Sequence, residues 1–191
     1  LRSAFSYLNK NYDSNQATWD VKKESQTKLV ARARWPDLGL SQIWTFDLSG
    51  QNKINWQVET ESAENIKLSN VEANLFLSSD YRDWVSLFKQ GKFPGIYPWS
   101  KNWGEVADPS CLGVKSTGRL PGLLFNLGQD SLIGDPLLRN TGYRTNARFI
   151  GFRNYQQTID IQPGRQKLFT GQIGVFDNDV DMYSKKNEIK K

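Results

Sequence analysis

The sequence predicts an all-β protein, two antiparallel sheets stacked as a sandwich with one short helix. Three observations predict it. Apolar residues recur at every second position through most of the 191 residues, the spacing of strands that bury one face. Turn-forming residues such as Pro36 and Gly39, Ser49-Gly50 and Pro163-Gly164 interrupt these runs at the roughly 8–12-residue intervals of strands joined by tight turns. Trp, Tyr and Phe number 7, 7 and 10, enough bulky strand formers to build a core between two sheets.

The elements follow in order. Leu1, Phe5 and Leu8 lie at roughly helical spacing, so Leu1 to Lys10 reads as a short helix or a lead-in, and residues 1–17 as a lead-in segment. Thr18 to Lys23 starts the first strand. Thr27 to Trp35 follows, with Leu29, Ala31, Ala33 and Trp35 on one face and Arg32 and Arg34 on the other, and Ile43 to Leu48 comes next. The centre of the pattern is Gln51 to Ser79. Ile54, Trp56, Val58 and Thr60 alternate, a polar break runs from Glu61 to Asn65, and Val71, Ala73, Leu75 and Leu77 alternate again, which predicts one long hairpin. Ser79 or Asp80 then caps a helix to Gln90 with Tyr81, Trp84, Val85 and Phe88 on one face and Gly91 at its end. Beyond a loop, strands are expected at Leu112 to Lys115, Leu120 to Leu127, Leu132 to Arg139, Tyr143 to Tyr155, Thr158 to Ile161 and Gln166 to Phe176. That makes about ten to twelve strands, too many for a minimal immunoglobulin-like sandwich. Residues 18–177 form the predicted domain and 178–191 a charged tail or linker.

Composition removes several kinds of chemistry. No histidine is present, so Ser-His-Asp and Cys-His triads, histidine zinc sites and histidine bases are excluded for this chain. Cys111, without a partner in the sequence, reads as a small buried apolar residue and leans toward a reducing, cytoplasmic setting. The net charge of +5 is spread along the chain, except for Lys185, Lys186, Lys190 and Lys191 in the tail. No apolar run reaches the roughly 20 residues of a membrane span. The chain opens on Leu1 and its only methionine is Met182, as expected of a piece of a larger protein.

Four constellations of residues could carry chemistry. In the loop Phe93 to Gly104, two prolines, two glycines and four aromatics make a stiff segment of a length that often carries function. Tyr97, Trp99 and Trp103 could stack on sugar rings while Asn102 and Glu105 take hydroxyls; the competing reading is a plug closing one end of the sandwich. Asp80, Asp83, Glu105, Asp108, Asp130 and Asp135 could supply the carboxylate pair of a glycosidase, although surface acids are ordinary. Asp177 to Glu188 imitates a calcium loop but has Met182 where the turn needs glycine. No metal or cofactor is therefore expected. Arg34-Trp35 and Arg148-Phe149 pair charge with an aromatic ring, but neighbours in a strand face opposite ways, which weighs against a nucleic-acid surface.

Lys53 to Glu59 running into Asn70 to Leu77, the Asn140-Thr141 turn before Ala147 to Phe152, and Pro163-Gly164 opening a glycine-bearing strand resemble the β-supersandwich domains of the galactose-mutarotase-like type that accompany carbohydrate-active enzymes. The resemblance implies a supersandwich fold and an accessory role facing a glycan or an adjacent domain. Mutarotase activity does not carry over, because it depends on histidines. Three functions are thus expected in order: a non-catalytic saccharide-binding or accessory domain of a larger protein, a structural module packed on a neighbouring domain or subunit, and a carboxylate-dependent glycan-active enzyme.

Overall fold

Alternation resolves into sixteen antiparallel strands in a computed structural model that describes residues 1–48, 50–86, 89–96, 98–101, 111–132, 134–141, 147–154 and 157–177. One sheet has nine strands. Its order is β3 (Thr18–Lys23), β4 (Lys28–Trp35), β5 (Leu40–Asp47), β6 (Lys53–Ser62), β16 (Gly164–Phe176), β12 (Gly122–Leu127), β11 (Cys111–Ser116), β8 (Tyr81–Ser86) and β9 (Gln90–Lys92). The other has seven. Its path is β10 (Trp99–Lys101), β13 (Asp135–Asn140), β14 (Ala147–Arg153), β7 (Ile66–Ser78), β1 (Arg2–Tyr7) and β2 (Lys10–Asp13), and β15 (Thr158–Ile161) also pairs with β7. Ser69 pairs with both β1 and β15, and Glu72 to Asn74 with both β1 and β14, so β14 and β15 share one edge of β7.

The core lies between the sheets and is largely aromatic. Trp56 stacks on Phe125 at 5.2 Å and meets Phe169 edge-on at 5.6 Å. Contacts that bridge the layers include Phe125 with Phe152 at 5.6 Å and Phe5 with Trp35 at 5.1 Å, the edge-to-face and offset geometries that ring quadrupoles favour. A buried hydrogen bond, Ser3 Oγ to Gln42 Oε1 at 2.6 Å, also joins the two layers.

The two-sheet sandwich predicted from the sequence is the fold observed, and three of the predicted elements differ. The organising hairpin is instead a corner between the sheets. β6 takes β5 and β16 as its hydrogen-bonded neighbours, and β7 takes β14, β15 and β1. Alternating faces look the same in sequence whether two strands lie side by side or stack face to face. At the corner the Ser62 hydroxyl accepts from the Glu64 amide at 3.3 Å and donates to the Glu64 carbonyl at 2.8 Å, a side-chain turn that lets the chain change layers.

The helix at Ser79 to Gln90 is replaced by the hairpin strands β8 and β9, with Leu87 and Phe88 outside the described residues. A bulge explains the false period. Lys115 pairs with Asp83 and Ser116 with Tyr81, leaving Arg82 as the extra residue. That insertion turns both Tyr81 and Trp84 inward, three positions apart, as a helix would. Gly91, expected to end the helix, lies under the Trp84 indole, where a Cβ would fall 2.7 Å from the ring. The helix expected near the N-terminus is likewise a pair of strands, with β1 hydrogen-bonded between β2 and β7.

Candidate functional site

The outer face of the seven-stranded sheet carries four cross-strand rows, fixed by register because residues directly opposite in a ladder point the same way. At one end are Asn11, Ser6 and Ser69. Next come Asp13, Ala4, Glu72, Arg153 and Asp135, then Arg2, Asn74, Gly151 and Leu137. Phe76, Phe149, Arg139 and Ser100 close the set. Ala4 is the key to the relief. A small residue flanked by two longer acids leaves a hollow over β1, and with the side chains around it this becomes a cleft of about 440 Å³. That volume falls within the roughly 300–1,000 Å³ of small-molecule sites.

A second bulge shapes the same cleft. Ala4 pairs with Glu72 but Ser6 pairs with Ser69, so β7 carries one residue more than β1. Asn70 sits in this insertion at a φ of 50°, a left-handed conformation that asparagine tolerates better than most residues. Its side-chain amide donates to Ser6 Oγ at 3.4 Å, and both residues line the cleft.

The charges are arranged in contacts across the strands. Arg2 donates to Asp13 at 2.5 Å, and Arg139 lies 3.5 Å from Glu72. Asn74 donates to the same Glu72 carboxylate at 2.9 Å. Arg139 stands on β13 and Glu72 on β7, with β14 between them; the absent side chain at Gly151 of β14 makes room for the Asn74 amide, whose Oδ1 would lie 2.0 Å from a Cβ there. Phe149 is held between two guanidiniums, Arg2 at 5.6 Å and Arg139 at 5.7 Å from its ring centroid, and this cation–π pairing orients both planar groups. Phe76, 43 % exposed, packs on Phe149 at 4.7 Å and extends the face with a bare ring.

Chemically, the cleft offers donors from Arg2, Arg139 and Arg153, acceptors from Asp13 and Glu72, and amides from Asn11, Gln16 and Asn70. A ligand rich in hydroxyl groups matches such a mixture of donors and acceptors, whereas an apolar one would strand them. Asp13 and Glu72 face each other across Ala4, with an arginine 2.5 Å from the first and 3.5 Å from the second.

Of the site residues singled out from the sequence, the one described lies elsewhere. Trp99 is half-buried on β10, turned to the core side beside Asn140, with its ring edge-on to Phe93 at 5.9 Å. Tyr97, Asn102, Trp103 and Glu105 lie outside the described residues. The four carboxylates among the described residues do not converge: Asp80 accepts from Ser78 in a turn at 3.0 Å, Asp130 pairs with Lys167 at 3.6 Å, and Asp83 belongs to the other sheet. Asp135 stands next to Arg153 by register but outside the cleft lining, and Glu105 and Asp108 lie outside the described residues. The same holds for 178–191 and thus for most of the calcium-like stretch. Arg148 and Phe149 do face opposite ways, and both are buried; Arg148 stacks over Phe93 at 5.4 Å on the core side. The cleft itself went unseen because Arg2, Asp13, Glu72, Arg139 and Arg153 are scattered along the chain and only register unites them.

No protein-family model matches the chain, and no curated protein matches it. Solved structures do. An alpha-galactosidase from Lactobacillus brevis aligns with a TM-score of 0.57 at 9 % identity, over 92 % of this chain and 29 % of the enzyme. A GH36 alpha-galactosidase from Geobacillus stearothermophilus aligns at 0.55 with 12 % identity, over 92 % of this chain and 30 % of the enzyme. The chain thus spans under a third of each enzyme's length. At these identities the likeness shows the fold, and the supersandwich resemblance holds at that level. The structural neighbours are carbohydrate-active enzymes.

Proposed function

We propose that this chain is a non-catalytic, saccharide-binding accessory domain of a larger carbohydrate-active protein. The observation that carries the proposal is the cleft over Ala4, about 440 Å³ in volume and lined by guanidinium, carboxylate and amide groups, with the exposed ring of Phe76 two rows away on the same face. Sugars need that combination: hydroxyls take paired donors and acceptors, and flat C–H faces lie on aromatic rings. Fold likeness to alpha-galactosidases supports the setting, while the case for binding rests on the cleft. The loop residues Tyr97, Trp99, Asn102, Trp103 and Glu105 are proposed as a second sugar contact, supported by the half-exposed Trp99 on a short edge strand.

Isothermal titration of the chain with a panel of mono- and oligosaccharides tests the reading. Ala4→Leu fills the hollow and Trp99→Ala strips the loop. Binding that Ala4→Leu abolishes and Trp99→Ala only weakens is the expected result; binding lost only in Trp99→Ala moves the site to the loop, and absence of any binding overturns the proposal.

A second reading, a module packed on an adjacent domain or subunit, has its own support. Trp19 and Val21 are 40 % and 59 % exposed on the core-facing side of the edge strand β3, opposite Ala33 and Ala31. Such an apolar ledge at a sheet edge suits burial by a neighbour. Val21→Lys would weaken association with that neighbour and leave glycan binding unchanged.

A further inference from the structure

We infer that the saccharide taken by the cleft carries an anionic group, a carboxylate or a phosphate or sulfate ester, and that Arg2 and Arg139 receive it. The inference rests on the saccharide-binding reading and adds the class of sugar.

Charge comes first. Three guanidiniums line the cleft, Arg2, Arg139 and Arg153, against two carboxylates, Asp13 and Glu72. The excess is positive where a ligand would sit. Capacity comes second. Arg2 meets Asp13 through Nη2 alone, and its Nε is buried with no hydrogen-bond partner. A buried N–H left unpaired is costly, and a ligand oxygen would relieve it. Among the described residues the ion-pair contact of Arg139 is the 3.5 Å approach to Glu72, too long for a charge-assisted bond at the usual 2.7–2.9 Å or so. Its planar fork therefore retains donors for an incoming anion.

Preorganisation comes third. Arg2 and Arg139 lie at 5.6 and 5.7 Å from the one Phe149 ring. Their side chains are ordered before a ligand arrives, which lowers the entropy cost of forming bidentate contacts. A neutral sugar meets these donors only with hydroxyl oxygens, which accept from a guanidinium less strongly than an anionic oxygen does. A sugar acid or a sugar ester answers both sets, its hydroxyls on Asp13, Glu72 and Asn70 and its anion on the two arginines.

The test compares matched ligands by isothermal titration: a neutral oligosaccharide, the same sugar with uronic acid units, its phosphorylated and sulfated forms, and free acetate and inorganic phosphate. At 50 mM salt one anionic sugar is expected to bind at least tenfold tighter than its neutral counterpart. The gap should narrow at 500 mM salt, where a screening length of about 4 Å weakens exposed charge pairs. Arg139→Gln should remove most of the gap, lowering the affinity of the anionic sugar far more than that of its neutral counterpart. The carboxylate, phosphate and sulfate arms identify the anion, and weak binding of free acetate and phosphate shows that the sugar is needed. Equal or tighter binding of the neutral sugar overturns the inference and leaves the accessory-domain reading standing. Failure of every glycan to bind overturns both. The comparison of ligands on the unaltered protein decides the matter even where a variant folds poorly.

Discussion

Gly151→Ala is a severe test of how the cleft is built, because the glycine lies beneath its charge network. A Cβ placed there would sit 2.0 Å from Asn74 Oδ1 and 2.6 Å from the Ala73 carbonyl oxygen. The amide of Asn74 can rotate away, but the Ala73 carbonyl belongs to a ladder and can yield only by moving the strand. Overpacking of this kind costs about 1–3 kcal/mol. If Asn74 swings out it also gives up its 2.9 Å bond to Glu72, and a hydrogen bond to a charged group contributes a further ~1.5–3 kcal/mol. For a chain of this size each kcal/mol lowers Tm by about 2–4 °C, so a fall of roughly 5–24 °C is expected. Differential scanning calorimetry measures it, with Gly134→Ala as the control. An added Cβ at Gly134 meets nothing within 4 Å, so its change should stay within about 0.5 kcal/mol. Equal melting of both variants would refute the reasoning that close approach of β7 and β14 demands glycine at 151.

Three further outcomes are expected. Phe152→Ala removes a fully buried ring that bridges the layers and should cost about 3–5 kcal/mol in urea unfolding. Burial pushes the Tyr81 phenol above its ordinary value of 10.0, and its hydroxyl donates to the Pro121 carbonyl at 2.9 Å. The folded state thus keeps this proton longer than the unfolded chain, so the stabilisation is intact below pH 10 or so and erodes as pH climbs past it. Tyr81→Phe should flatten the alkaline slope and cost about 1 kcal/mol at neutral pH; an unchanged slope would discount Tyr81. A double-mutant cycle on Arg2→Gln and Asp13→Asn should return a coupling of about 1 kcal/mol that weakens with salt, since both partners are partly screened by water.

How much of this was legible in the sequence depends on which periodicity carried it. Alternation at Thr27 to Trp35 gave β4 almost to the residue, because it buries one face in a regular ladder, and Gln166 to Phe176 marked most of β16 despite a bulge at Leu168. Tyr81 and Trp84 misled for a physical reason: a bulge adds one residue and converts period two into an apparent helical step. The corner at Ser62 to Ile66 misled differently, since sequence records which side of a strand is apolar but not which layer the strand joins. The cleft was hidden most completely. Arg2, Ala4 and Asp13 fall in a stretch read as a lead-in, and Glu72 and Arg153 are polar residues on strands recognised by their apolar ones. Only the ladders of β2, β1, β7 and β14 bring them into two adjacent rows.

Amide chemical-shift mapping tests the central claim most directly. On titration with the best-binding glycan of the panel, the account predicts perturbations concentrated at Arg2 to Ser6, Asn11 to Asp13 and Asn70 to Asn74, on the outer face of the seven-stranded sheet. Shifts confined to the nine-stranded sheet or to the Pro94 to Lys101 segment, with the Ala4 hollow silent, would contradict it.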